Sequence, residues 1–416
     1  MIKKFKYIFI FTLSFLSISY SQNSSTYTRN GIGDMDYTYS ARSLGLGHTG
    51  VSMLNRDYVE ILNPASWAAI KLTRIELSLV LNGVSLSNSS QSGYYADADF
   101  KGFTFAFPIS NKYGIGFASG LVPYSRISYK VVENFDAAEP GIPAYTTIYE
   151  GKGGLTRLFM GASYTLPFGW VIGGTAEYYF GTLNYKSNID FSGSSFKSGE
   201  YDLIYRATGF GSTVGLITQD LADLFNSETI SNLRIGVSAN IVSDLNTDTS
   251  LTTNPNTVGD TISSGSTIMK IPIRITGGIT LGLFKKYNIN IDYIYQPWSE
   301  FKIGNKPSKN LRDVYKLSGG FEYKPVMQTD ASLWEQIVWR LGLSYEISQY
   351  RINGTDITQY SAFGGLSFPL SLGNSVDLGF EYSLRGTTDS NLIREKFYRI
   401  NVGISFGELW FIRVER

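Results

Sequence analysis

The chain has 416 residues, 15% of them aromatic (29 Tyr and 26 Phe among them), with 43 Gly, no cysteine, one histidine and a net charge of +1. Neither a global field nor a basic cluster or tail is present, which excludes nucleic-acid binding driven by phosphate contacts. The missing cysteines exclude a disulfide framework and a lipoprotein anchor, and any histidine-based catalysis or metal binding is confined to His48.

The chain opens with Lys3, Lys4 and Lys6, an apolar run from Tyr7 to Ile18, and Ser19-Tyr20-Ser21. Positive charge, a short hydrophobic core and small residues at the −3 and −1 positions predict a secretory signal peptide over residues 1–21, cut after Ser21. As a transmembrane anchor the run is too short to span comfortably. Residues 22–70 are rich in Gly and Asp and poor in alternation, and are expected to form an N-terminal plug.

Beyond residue 70 the pattern changes to a period of two. Leu233, Ile235, Val237, Ala239 and Ile241 alternate with Arg234, Gly236, Ser238 and Asn240. Ile271, Ile273, Ile275, Ile279 and Leu281, then Ile337, Trp339, Leu341, Leu343, Tyr345 and Ile347, repeat the beat. Such spacing gathers the apolar side chains on one face of a strand. Fourteen strand candidates follow, near 73–84, 97–107, 112–130, 148–165, 170–185, 201–217, 232–244, 269–282, 287–297, 314–323, 336–348, 357–368, 375–384 and 397–410. Short connections (108–111, 167–169, 284–286, 371–374) alternate with longer polar ones (85–96, 131–147, 186–200, 245–268, 298–313, 385–396). An even count with alternately short and long connections marks a bacterial outer-membrane barrel. Among the exceptions, 218–231 contains Leu221-Ala222-Asp223-Leu224-Phe225, a candidate short helix. Alternation alone also suits a soluble sandwich; the leader, the number of long strands and the aromatics Trp298, Trp339, Trp410 and Phe411 favour the membrane. The expected fold class is all-β: a transmembrane antiparallel β-barrel of about 14 strands over 71–411, with the plug at 22–70 in its lumen and a short tail at 412–416.

Extrapolated alternation points Arg157, Glu177, Arg234, Arg274, Asp292, Glu322, Arg340, Glu346, Asp377, Glu381 and Arg399 inward. A selective pore favours a ring of one sign; mixed signs predict a salt-bridged, partly filled interior.

Before the first strand stand Gly31-Ile32-Gly33-Asp34, Ala41-Arg42-Ser43-Leu44-Gly45-Leu46-Gly47-His48-Thr49-Gly50-Val51, Asp57 and Leu62-Asn63-Pro64-Ala65-Ser66. Asn63 suits a helix cap and Pro64 a first helical position, predicting a short turn through Ala65–Ile70. The order of these motifs resembles the N-terminal hatch of the FadL/TodX outer-membrane transport family, PorV-like barrels included. The resemblance implies a fourteen-stranded barrel that passes hydrophobic molecules, fatty-acid-like or aromatic, with Asn63, Pro64 and Ala65 lining a gate. It further implies a kink in the third strand that opens sideways to the lipid. Gly120-Leu121-Val122-Pro123 stands at that strand, where proline breaks a ladder and glycine permits a bulge. Anchoring of the plug, and an outer-rim bulge, are the plainer readings of the same residues. The substrate-binding residues of the family find no matching motif here.

Gly45-x-Gly47-x-x-Gly50 spells the dinucleotide fingerprint, but lacks the strand before it and the helix after it that the chemistry requires. These glycines are assigned to the plug, where backbone turns tightly. Asp97 and Asp99 are too few for a Ca²⁺ site and read as solvated loop charges. No cofactor, metal or enzymatic activity is expected. The expected function is passive uptake of hydrophobic small molecules in the outer membrane of a Gram-negative bacterium, with outer-membrane lipid as surroundings. Tyr94-Tyr95 and Tyr145 are candidates for an apolar capture pocket. The alternative is a docking subunit of a secretion system resembling PorV, held to another barrel or a secretion partner.

Overall fold

A computed structural model describes residues 25–410, apart from 138–142, 192–195, 226–228, 254–259, 305, 309, 326–331, 372 and 390–391. The expected leader (1–21) and tail (412–416), and with the tail Phe411, lie outside the described residues.

Fourteen strands form the wall: β1 (Thr73–Ser87), β2 (Ser92–Ser110), β3 (Ile115–Pro123 and Ser125–Phe135), β4 (Tyr145–Thr165), β5 (Val171–Asp190), β6 (Gly199–Ile217) and β7 (Ile230–Val242 and Leu245–Thr253). β8 (Asp260–Lys270 and Arg274–Leu283), β9 (Tyr287–Gln296), β10 (Val314–Tyr323), β11 (Val338–Ile352), β12 (Thr355–Ser371), β13 (Asn374–Arg385) and β14 (Arg394–Glu408) complete it. Chain neighbours pair antiparallel, and β14 returns to β1 from Thr73↔Glu408 to Ser87↔Arg394. Closure leaves no terminal edge, as lipid demands of a sheet. Among the described residues no helix is long and apolar enough to cross a membrane.

The two faces follow the period of two. Ile235, Val237 and Ile241, and Trp339, Leu341 and Leu343, are exposed on the outside. Between them Ser238, Asn240 and Arg340 are buried, as are Arg157, Glu177, Arg274, Asp292, Glu322, Glu346, Asp377 and Glu381 from the other strands. Arg399 pairs with buried Glu381 at 2.9 Å, and Arg234 lies half-buried at the short-turn rim beside Asp220.

Three local expectations need correction. Ile271 is buried rather than lipid-facing, because β8 is interrupted between Lys270 and Arg274, where Pro272 lacks the ladder N–H. Trp298 is not a membrane-interface residue: it is fully buried beside Phe301, at 5.4 Å between ring centres, in a cluster that includes Tyr27, Ile32 and Tyr124. Much of the predicted loop 245–268 is strand, paired from Leu245↔Met269 to Thr253↔Asp260. Its Thr and Ser residues stand beyond the apolar band, where no lipid face imposes alternation, so periodicity could not reveal them. The candidate helix near residue 221 is present as a 3₁₀ turn, Ala222–Phe225.

Leu341 stands in the lipid-facing band. Leu341→Arg is expected to destabilise the folded barrel by about 2–4 kcal/mol in lipid vesicles. Urea unfolding followed by tryptophan fluorescence would measure it, with inward Ser344→Ala as a mild comparison.

Candidate functional site

Residues 25–70 lie against the inward faces of the wall, and their local structure follows from caps and turns. Ser40 accepts from Ser43 N and starts the short helix α1 (Ala41–Gly45). Asn63 caps the 3₁₀ turn Pro64–Ala69, accepting from Ala65 N at 3.0 Å, with Pro64 in the first position as the sequence indicated. The Asn63 amide also donates to Val51 O at 2.7 Å and to the wall carbonyls of Leu216 and Val237 at 3.2 and 3.3 Å.

A track of inward wall glycines lets this segment approach the strand backbone. A side chain at Gly173 (β5) would strike the Pro64–Ala65 peptide, one at Gly215 (β6) Asn63, and one at Gly236 (β7) Val51. On the opposite wall Gly342 (β11) meets Gly47, and Gly365 (β12) meets Gly45, glycine against glycine. Gly50 has φ +156° and, with Val51, donates its backbone N–H to Asp292 at 2.7 and 2.9 Å. Gly45, Gly47 and Gly50 therefore serve close packing.

Charge secures the rest. The Arg385 guanidinium donates to both Asp34 oxygens at 2.8 and 2.9 Å, to Glu395 at 2.8 Å and to Ser25 at 2.6 Å. Arg42 of α1 lies 3.5 Å from Glu322, which also holds Arg340 at 2.8 Å. Glu76 accepts from Val59 N and the Tyr39 hydroxyl. His48 contacts Thr38 at 2.6 Å; burial, with Lys316 nearby, pushes its imidazole well below the usual value, so it carries no charge at neutral pH.

The second feature is a split in the wall. β2 pairs with β3 from Ser110↔Ile115 only to Phe103↔Leu121. Past Pro123 the chain breaks at Tyr124, whose ring turns inward onto Tyr179, edge to face at 4.9 Å. The outer piece of β3 keeps its pairing with β4 and takes Asp34–Met35 on its other side, Asp34 opposite Arg126. Gly153 and Gly154 of β4, at φ +109° and +146°, make room; a side chain at Gly154 would strike Ser125 O. Among the described residues no strand pairs with the Ser92–Gly102 edge of β2 on this side. Ion pairs bridge the split instead: Arg126 to Asp97 at 2.6 Å and to Asp99, and Lys101 to Asp36. Asp97 and Asp99 are thus paired strand residues, not solvated loop charges.

The sequence-predicted residues do not converge. Gly120 lies in the last paired stretch of β3 and Pro123 ends its inner piece, at the start of the split. Asn63, Pro64 and Ala65 lie against β5, β6 and β7 on another wall. Tyr94 and Tyr95 are within β2; Tyr145 begins β4, stacked on Phe135 at 4.8 Å and packed near Phe191 at 5.3 Å. Sequence reading missed Asp36, Lys101, Arg126, Arg385 and Glu395, and singled out Asp34 only as part of the N-terminal motif. Arg385 was within reach, since it continues the inward series Asp377, Glu381 along β13.

Two polar cavities of ≈ 60 Å³ each remain at the split and beside it, sharing Asp34, Met35, Asp36, Lys101 and Arg399. A larger apolar hollow of ≈ 530 Å³ is on the lipid-facing wall, where Gly319 and Ala362 leave a trough among Leu317, Leu343, Tyr345, Tyr360 and Tyr382.

A closed fourteen-stranded wall, apolar outside and ion-paired inside, defines a membrane barrel of the outer-membrane type. The BamG family model matches residues 1–415, and the chain belongs to the BamG family. Among solved structures, the toluene transporter TodX of Pseudomonas putida shares the fold at TM-score 0.61 and 15% identity, covering 91% of this chain and 100% of that one. The Ralstonia pickettii toluene transporter TbuX follows at 0.60 and 15% (89% and 99%), and a Pseudomonas aeruginosa FadL homologue at 0.59 and 12% (89% and 99%). The FadL/TodX-type resemblance of the sequence therefore holds at the level of fold. TodX and TbuX are described as toluene transporters. A comparison with curated proteins finds no match.

Arg385→Met would leave buried Glu395 and half-buried Asp34 without their cation. The expected loss is about 3–5 kcal/mol of stability, read as a lowered urea midpoint together with faster proteolysis at Arg42 and Arg56.

Proposed function

We propose that this protein is a non-enzymatic outer-membrane barrel of a Gram-negative bacterium, exported by a leader cut after Ser21, that gives small hydrophobic molecules a passive route. Fatty-acid-like or aromatic compounds are the substrate class. Residues 25–70 act as the plug, and the split between β2 and β3 is the sideways exit to lipid. The observation that carries this reading is the ladder that stops at Phe103↔Leu121, leaving a stretch of wall held by side chains instead of backbone. The state described is closed: its polar cavities of ≈ 60 Å³ are far below the roughly 300 Å³ at which ligand pockets begin, so passage needs movement of the plug. Aromatics near the outer end, Phe135 and Tyr145 with Phe191, supply an apolar surface for capture.

A second reading, a docking subunit held to another barrel or to a secretion partner, is favoured by a different observation. The interior is densely ion-paired, whereas an apolar hollow of ≈ 530 Å³ faces the membrane. Transport would then be absent and the lipid-facing wall would be the working surface.

The test is uptake of toluene and of a long-chain fatty acid by vesicles containing the full chain. Asn63→Ala with Pro64→Ala is expected to change uptake at least severalfold while heat-modifiable migration shows a folded barrel. Uptake that is active but unchanged would sink the gate role of these residues. No uptake by the unaltered protein, with a stoichiometric partner in native mass spectrometry after gentle extraction, would establish the docking reading.

A further inference from the structure

The described residues include six buried arginines: Arg42, Arg74, Arg157, Arg274, Arg340 and Arg385. Five lie within 4.0 Å of a carboxylate: Arg42 and Arg340 of Glu322, Arg74 of Asp57, Arg157 of Glu177, and Arg385 of Asp34 and Glu395. Among the described residues Arg274 has no ion pair within 4.0 Å, and its buried Nη1 has no hydrogen-bond partner. Buried carboxylates without a cation have a way out, because they take backbone N–H groups, as Asp292 does, or a proton. An arginine has neither, since it accepts no hydrogen bond and stays charged.

The surroundings of Arg274 select what could neutralise it. Its guanidinium carbon lies 5.8 Å from the centre of the Tyr37 ring and 5.5 Å from that of Tyr124. Asn240 stands opposite on β7, and its amide is spent on Glu177, Tyr179 and Thr213. Gln296 is next to it on β9, because Ile275 pairs with Tyr295; its amide donates to Pro272 O and its oxygen is unpartnered. The nearby carboxylates are already committed, Glu177 to Arg157 and Glu346 to Lys316, both at 3.2 Å. Relocating either would leave another cation unpaired.

We propose that Arg274 is the binding site of a small monovalent anion, a halide or a short carboxylate such as formate, held by the guanidinium fork between two tyrosine faces. The fork suits a planar oxyanion, and one negative charge matches the charge of the one guanidinium. The buried guanidinium carries a single positive charge, so a doubly charged phosphate, or a carboxylate with a polar chain to desolvate, is disfavoured there. The site joins the wall to the N-terminal segment through Tyr37, and to the inward turn of β3 through Tyr124. Filling it therefore stabilises the seated segment by mass action.

The experiment uses the purified full chain in detergent, with urea unfolding followed by tryptophan fluorescence at constant ionic strength. Sodium gluconate is the reference, and chloride, formate and phosphate are the probes. Chloride and formate are expected to raise the unfolding midpoint progressively with concentration, and phosphate to leave it at the gluconate value. Arg274→Met should abolish the chloride and formate shifts and, in gluconate, unfold no earlier than the unaltered protein. Should that variant not fold, Arg274→Lys, which keeps the charge but loses the fork, is expected to show a formate shift reduced at least twofold. An unaltered protein indifferent to all anions, or equal shifts in protein and variant, would overturn the proposal. Neither outcome bears on hydrophobic uptake.

Discussion

The constraint on which the rest of the molecule depends is the filling of a polar lumen by backbone. Inward side chains of a fourteen-stranded wall are polar by the logic of alternation, and each needs a partner once water is displaced. Here the partners come both from other wall strands and from residues 25–70. Peptide groups can reach the wall carboxylates only where the wall carries no side chain, and Gly173, Gly215, Gly236, Gly342 and Gly365 provide that clearance. Glycine and charge are therefore coupled: without the first, the N–H groups of Gly50 and Val51 could not reach Asp292.

The same filling explains why the wall can split. A break in a membrane sheet exposes peptide groups to lipid, which is strongly unfavourable unless something else covers them. Asp34–Met35 supplies part of that cover along β3, and Asp36 reaches Lys101 on β2. The segment is thus both a filler of the interior and a surrogate for missing ladder. Any motion that opened the split would have to release it, together with the Arg385 cluster that fixes Asp34 to β13.

Relatedness and geometry speak to different things. Membership of the BamG family and the shared fold with toluene transporters describe the architecture. Function is a property of sites, and a common barrel hosts more than one. The ion-paired interior and the apolar hollow on the outer wall pull in different directions, and they separate a conduit from a docking surface more sharply than the strand count does.

Alternation at Leu233–Ile241 and Ile337–Ile347, with short and long connections in turn, was enough to specify fourteen strands and, except at the break in β8 where Ile271 is buried, which face meets lipid. That succeeded because lipid imposes a period of two wherever it touches the wall. The cap at Asn63-Pro64 was legible for a similar reason, since it is satisfied within a few residues. What only the tertiary structure decided involves partners far apart in the chain. Asp34 meets Arg385, Gly47 meets Gly342, and Asp97 crosses a broken ladder to Arg126. Pro123 marked the place of the break, but Gly153 and Gly154 on the neighbouring strand make it possible. Arg274 reads as one inward charge among eleven; that its Nη1 meets no hydrogen-bond partner among the described residues is a property of three-dimensional neighbours, which no spacing along the chain encodes.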